Sequence, residues 1–160
     1  MNRDRPYIAV VGGSEPSDPA EEAAESVGRG LAERGAVIIC GGHGGVMEAV
    51  CRGAQEAGGT TTVGLLPDEH RSYGNKHLDI ALATGLGEIR NMLVARSADA
   101  VIAIEGEFGT LSEIGFALRI GKPVIGLNTW ALSTPTGGHD PILRVATPEE
   151  AVERAIAAAR

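Results

Sequence analysis

Gly87-Glu-Ile-Arg-Asn-Met-Leu-Val-Ala-Arg-Ser-Ala-Asp-Ala-Val-Ile-Ala-Ile-Glu-Gly-Glu-Phe-Gly-Thr-Leu-Ser-Glu113 decides the fold class. It holds a helical stretch around Glu88 to Ala98, an apolar run from Ala100 to Ile104, a glycine turn over Glu105 to Gly109, and a second helix from about Leu111 to Ile120. An apolar run without polar alternation reads as a strand covered on both faces. Arg90 precedes that strand and Glu113 follows it. A cation and a carboxylate so placed can meet above the carboxyl end of the strand, where open α/β sheets bind ligands. Function is expected at that edge.

The same unit repeats on either side. Tyr7 to Val11 reads as a strand leaving through Gly12-Gly13-Ser14, and the polar stretch Glu15 to Pro19 leads to a helix near Ala20 to Arg34 that stops at Gly35. Ala36 to Cys40 is a second strand, followed by Gly41-Gly-His-Gly-Gly45 and a helix from about Val46 to Ala57. Thr60 to Leu66 reads as a third strand, Pro67 to His77 as a polar loop, Leu78 to Leu82 as a short fourth strand and Val124 to Leu127 as the last clear one. Asn128 to Asp140 reads as a surface loop and Pro148 to Ala159 as a closing helix, with Thr147 and Glu150 in a capping-box pattern around Pro148. Strands alternating with helices predict an α/β fold: a single doubly wound, mainly parallel sheet with helices on both faces, Rossmann-like. A chain of 160 residues suits one domain, so residues 1–160 are read as a single nucleotide- or cofactor-binding unit.

Composition narrows the function classes. With 21 Asp and Glu against 14 Lys and Arg, a broad surface for neutralising DNA or RNA phosphates is not expected, nor is a basic-aromatic surface for single strands. No apolar run reaches the roughly 18 residues of a membrane span, and the N-terminus Met1 to Pro6 moves straight into a strand. A cytoplasmic protein with no membrane or nucleic-acid partner is expected. Cys40 and Cys51 show no CxxC or Cys/His spacing, so they read as small core residues, and no metal site is signalled.

Three strand ends run into glycines: Gly12-Gly13, Gly41-Gly42-His43-Gly44-Gly45 and Gly106-Glu107-Phe108-Gly109. Such turns permit positive φ and close approach of a ligand to the backbone, and the helices that follow offer free N–H groups to an anion. Each turn alone reads equally well as a tight βα connection. Together they predict a phosphate site built from Gly12, Gly13, Ser14, Gly41, Gly42, Gly44, Gly45, Gly106, Gly109 and Thr110. None forms a GxGxxG fingerprint with its later acid, or a GxxxxGK[ST] loop, so ordinary dinucleotide and P-loop sites are not expected.

At these residues the chain resembles a known superfamily. Gly41-Gly-His-Gly-Gly-Val-Met-Glu-Ala-Val50 resembles its GGGxxGxM-type loop, and Arg90 with Gly109-Thr-Leu-Ser-Glu113 resembles its R…GxGTxxE signature. The superfamily includes the Lonely Guy cytokinin-activating phosphoribohydrolases, many once labelled lysine decarboxylases, and the molybdenum-cofactor carrier proteins. Ile8 to Ser14 and Thr84 to Asn91 look closer to the carrier-like branch. The resemblance implies binding of a nucleotide or molybdopterin-type cofactor as ligand, no cofactor required for chemistry, and homo-oligomers (dimer or tetramer). If the hydrolase activity is present, it implies Arg90 and Glu113 as catalytic residues that free a base and ribose 5-phosphate from a nucleoside 5′-monophosphate. Glu105 and Glu107 depart from the family's PGG, and Asn91 replaces a basic residue, which favours the carrier reading. Lysine decarboxylation has no support, since no lysine sits in a context that suggests a pyridoxal phosphate anchor.

Bland readings compete throughout. Thr110-Leu-Ser-Glu113 is itself a capping-box pattern, with Thr110 as N-cap. Arg90 reads as well as a surface or interface arginine; Glu48 reads as a pocket-facing residue or as a first-turn acid that complements the helix dipole, and His43 as a residue its glycine loop presents to a ligand or as a solvated loop histidine. Ser14 lacks a GxSxG elbow and is expected to contact phosphate rather than act as nucleophile. Asp68 to Arg71 read as a solvated loop or a lid.

Overall fold

The computed structural model describes residues 5–159; Met1 to Asp4, the start of the stretch expected to run into the first strand, and Arg160 lie outside it. Seven strands form one sheet: β1 Tyr7–Gly12, β2 Val37–Cys40, β3 Thr62–Leu66, β4 Ile80–Ala83, β5 Ala100–Ile104, β6 Val124–Leu127 and β7 Leu143–Val145. Their order is β4-β3-β2-β1-β5-β6-β7, and every neighbouring pair is parallel. The helices are α1 Asp18–Glu33, α2 Val46–Glu56, α3 Asn91–Arg96, α4 Phe108–Arg119 and α5 Pro148–Ala158. From β1 the chain builds outward to β4, then returns to place β5 on the other side of β1. The direction of winding therefore reverses between β1 and β5, and the crevice at their carboxyl ends is where such sheets take ligands. Among the described residues no helix is long and apolar enough to cross a membrane.

Side-chain alternation divides the core between the two faces of the sheet. Ile8, Val10, Ile38, Cys40, Ile102 and Ile104 pack against α1, α2 and α5, whereas Ala9, Val11, Ile39, Val101 and Ala103 pack against α3 and α4. Both cysteines are buried as expected and unbridged, their sulfurs 3.9 Å apart.

Several boundaries differ from the sequence reading, each for a local reason. The expected helix from Glu88 to Ala98 is a 3₁₀ turn over Gly87–Arg90 followed by the short α3, because Gly85 and Gly87 both take positive φ and turn the chain sharply before it. The fourth strand is displaced to Ile80–Ala83. A seventh strand follows the long loop; three residues with exposed Leu143 and Arg144 give no periodicity to read. The largest change is at α4, which begins at Phe108 with Glu107 as its N-cap, so the capping-box reading of Thr110 and Glu113 fails. Gly106, at φ +93, folds the turn so tightly that a Cβ there would lie 2.2 Å from Thr110 Oγ1, which puts Thr110 inside the first turn. The same pattern does cap α5: Thr147 Oγ1 accepts from Glu150 N at 3.2 Å and the Glu150 carboxylate accepts from Ala146 N at 3.1 Å.

The first two βα units are locked by glycines where α1 crosses α2. A Cβ at Gly53 would sit 2.0 Å from Glu25 O, and one at Gly28 would sit 2.0 Å from Val50 O. Ala in a helix interior is worth up to about 1 kcal/mol over Gly, but overpacking against backbone costs about 1–3 kcal/mol. Gly53→Ala is therefore expected to lower unfolding free energy in a urea titration by about 1–2 kcal/mol. Gly115→Ala, at a helical position where a Cβ meets nothing within 4 Å, is expected to raise it.

Candidate functional site

A cavity of about 690 Å³ opens at the β1/β5 crevice, a size suited to a small-molecule ligand. Gly12, Gly13 and Ser14 after β1 form one wall; Gly106, Gly109 and Thr110 after β5 form the other; Arg90 and Glu113 close the back. The glycine loop after β2 is placed differently from expectation, since Gly41, Gly42, Gly44 and Gly45 do not line the cavity. They support it from behind. A Cβ at Gly41 would meet Arg90 Nη1 at 2.2 Å, so the absence of a side chain makes room for the guanidinium. Gly45, at φ +68, leaves no room for a Cβ against Gly13 O, and the Val46 amide donates to that same oxygen at 3.0 Å. Gly42 packs over Gly64 and Leu66, and Gly44 has only Glu48 nearby.

Arg90 and Glu113 are each only 7% exposed, which removes the surface-arginine reading. Arg90 Nε and Nη1 are sealed from solvent and have no hydrogen-bond partner, so Glu113 does not pair with them. Burial lowers the arginine's pKa against the opposing pull of Glu113, yet a guanidinium starting so high stays charged. Burial also raises the Glu113 pKa from 4.5 to about 8, against the opposing pull of Arg90. At neutral pH the back wall thus holds a cation with unmet donors beside a largely protonated acid. A buried polar group without a partner costs about 1–3 kcal/mol and signals a ligand group that is to come.

The turn after β5 supplies further donors. Ser17 caps α1 and Thr147 caps α5, but no side chain caps α4, so its first-turn amides face the cavity wall at Gly109 and Thr110. Glu105 and Glu107, the two departures from the family pattern, behave differently from one another. Glu105 sits at φ +45, a strained value for a non-glycine residue, and its carboxylate accepts from Ser17 Oγ at 2.6 Å and Ser17 N at 3.2 Å. Its charge is spent on the start of α1. Glu107 is exposed on the rim, where only its carbonyl is engaged, by Trp130 Nε1 at 3.2 Å. Asn91, the third departure, donates to Ser112 Oγ at 3.2 Å.

Residues beyond the predicted phosphate site also line the cavity. His43 lines it and pairs with Asp68 at 2.6 Å, rather than pointing into solvent, and Asn75 holds the His43 loop by donating to the carbonyls of Gly42 and His43. Glu15, Met47, Pro67 and Glu88 also contribute. Met47 is the methionine of the GGGxxGxM-type loop and could have been read from it, Pro67 directly follows β3 and Glu15 follows the turn after β1, whereas Glu88 carries no signal of its own. Glu48 turns away from the cavity, with its carboxylate 3.9 Å from His77.

The Glu113 shift has a signed consequence. Between pH 4.5 and about 8 the folded state holds a proton that the unfolded chain has released, so stability falls as pH rises through that window. Wild-type Tm is expected to fall between about pH 5 and pH 8 more steeply than that of Glu113→Gln, the two proteins converging at the acid end, as scanning calorimetry would show.

Residues 5–152 match the SLOG cluster4 family. An uncharacterized protein of Archaeoglobus fulgidus is 40% identical over 149 residues, with 93% of each chain covered. A probable cytokinin riboside 5′-monophosphate phosphoribohydrolase of rice is 36% identical over 112 residues, 67% of this chain and 45% of that protein. Among solved structures, the molybdenum cofactor binding protein of the phototrophic bacterium Rippkaea orientalis superposes with a TM-score of 0.84 at 32% identity, covering 96% of each chain. The molybdenum cofactor carrier protein of Chlamydomonas reinhardtii superposes with a TM-score of 0.79 at 29% identity, covering 96% of this chain and 99% of that one. On the profile match and the Archaeoglobus relative together, the chain belongs to the SLOG cluster4 family, in the Lonely Guy-like group of α/β proteins.

Proposed function

We propose that the protein binds a phosphorylated small molecule, a nucleotide or molybdopterin-type cofactor, and holds it as a carrier rather than turning it over. The observation that carries this reading is the buried Arg90 guanidinium on the cavity wall, whose Nε and Nη1 have no hydrogen-bond partner. A phosphate oxygen accepts from its planar fork, and the open amides at the start of α4, with the Gly12 to Ser14 turn opposite, complete an anion cradle. The bound molecule is cargo, and no resident cofactor is invoked. The likeness to carrier proteins over nearly the whole chain supports the same reading.

The second reading, an N-glycosidic phosphoribohydrolase, is favoured by Glu113 in the same wall as Arg90. In that reaction water bonds to the anomeric carbon, the bond to the base breaks, and the proton lost by water ends on the base. The transition state is positive at the sugar, so an ionised carboxylate helps and a protonated one does not. With its pKa near 8, Glu113 is mostly neutral at pH 7, and a phosphate dianion nearby adds to that tendency. The geometry supports binding over cleavage at neutral pH.

The protein also associates with copies of itself through the face beside the cavity, in this proposal. Ile89, Met92 and Phe108 are exposed there at 67%, 43% and 76%, large apolar side chains that a second copy would cover. Ile89→Asp is expected to reduce the sedimentation coefficient to that of a single chain.

Nucleoside 5′-monophosphates and molybdenum cofactor are expected to bind in calorimetry and to be lost on Arg90→Met, which removes the charge but keeps the volume. The same variant is expected to unfold at higher temperature than unliganded wild type, because it eliminates buried unsatisfied donors. Chromatography of the nucleotide incubations is expected to show no free base at pH 7. Base release that disappears in both Arg90→Ala and Glu113→Gln would establish the hydrolase instead.

A further inference from the structure

The cavity is polarised: its only arginine lies at the back, while Glu15, Glu88 and Glu107 stand exposed around its mouth. Acids at the mouth of an anion site would repel the ligand unless they meet a different part of it. Among the described residues no three His, Cys, Asp or Glu side chains converge closely enough to hold a metal ion. Ionised carboxylates at the mouth are acceptors and match N–H donors on another part of the ligand. Glu107 stands out among the three. It occupies the N-cap of α4, yet its side chain caps nothing and its carboxylate is left with both oxygens free. Next to it lies Phe108, 76% exposed, packed against Trp130 with ring centroids 5.6 Å apart, and Trp130 is tied to the Glu107 carbonyl. Trp130 is itself half-buried against the core, and neither ring lines the cavity, so Glu107 is the group of this turn that meets the mouth.

We infer that Glu107 is a specificity residue for the ring of the bound molecule. It accepts two parallel N–H bonds from a 2-amino-4-oxopyrimidine edge, the edge that guanine and pterins share. This inference rests on the proposed phosphate site at Arg90 and names the chemistry of the ligand's other end. A carboxylate has acceptors only, so it matches adjacent N–H and NH₂ donors and opposes an edge that presents a ring-nitrogen acceptor, as adenine does.

The test is calorimetric titration of the full chain with GMP, hydroxymethylpterin monophosphate, AMP and ribose 5-phosphate, repeated on Glu107→Gln, Phe108→Ala and Arg90→Met. Expected is at least one donor-edge ligand bound about tenfold or more above AMP, the scale of one bidentate pair. Glu107→Gln is expected to erase that preference without moving Tm, since the side chain it replaces has no partner in the protein. Phe108→Ala, at a residue that does not line the cavity, is expected to leave the preference in place. Preference for GMP alone or for the pterin alone identifies which source of the edge the site takes. Equal binding of AMP, or a preference that survives Glu107→Gln, overturns the inference. If all four ligands bind alike and all are lost on Arg90→Met, this inference falls and the phosphate reading stands. If none binds, both fall.

Discussion

A buried guanidinium without a protein partner is the constraint around which this structure is arranged. Taking Arg90 out of water and leaving Nε and Nη1 unbonded is unfavourable by an amount comparable with a good part of a domain's net stability. The chain tolerates it because the surrounding frame is over-determined: Gly41 leaves the space, β2 and β5 are packed on both faces, and Glu113 supplies a neighbouring acid without quenching the charge. A solvent-exposed arginine would hold its donors ready for anything. A sealed one is ready only for what fits between the glycine turns.

A chain with a formal charge of −7 needs such local arrangement to hold an anion at all. Long-range attraction is unavailable, so selectivity has to come from short-range contacts in a site where screening by water is weak. The acids of the crevice are disposed accordingly. Glu105 is held in a strained conformation that turns its carboxylate to the start of α1, and burial keeps Glu113 largely protonated. What remains of negative charge lies at the mouth.

The repeating strand-turn-helix rhythm was legible because buried parallel strands leave uninterrupted Val, Ile and Ala runs, as in Ala100 to Ile104 and Val37 to Cys40. β7 was not, since an exposed three-residue edge strand need not be apolar. Within the site, the sequence could bring Arg90 and Glu113 to the same sheet edge, because strand order alone does that. It could not separate glycines that face a ligand from glycines that face other protein: Gly12 and Gly41 look alike in sequence, and only packing shows that one walls the cavity and the other clears space for Arg90. The capping pattern misled for a similar reason. Thr-x-x-Glu specifies a cap only where the helix begins at the Thr, and the positive φ of Gly106 starts α4 earlier. The glycine loop let His43 be read as facing a ligand or solvent, but its partner, Asp68, was not legible because it comes from a loop that follows the next strand.

Arg90 and Glu113 also bear on each other through the ligand. In the proposed complex, a phosphate would satisfy the guanidinium and thereby screen Glu113 from the positive charge of Arg90 that holds its pKa down. The acid would then face added negative charge from its buried position in the back wall, and both changes favour its protonated form. A proton held there can serve as a hydrogen-bond donor to a phosphate oxygen, so Glu113 moves from competitor to ally as the anion enters. The same shift withdraws the ionised carboxylate that cleavage at a sugar would require. A wall that would grip phosphate better as it fills would stabilise positive charge next to it less well, which is the physical basis of the proposal of carriage over cleavage.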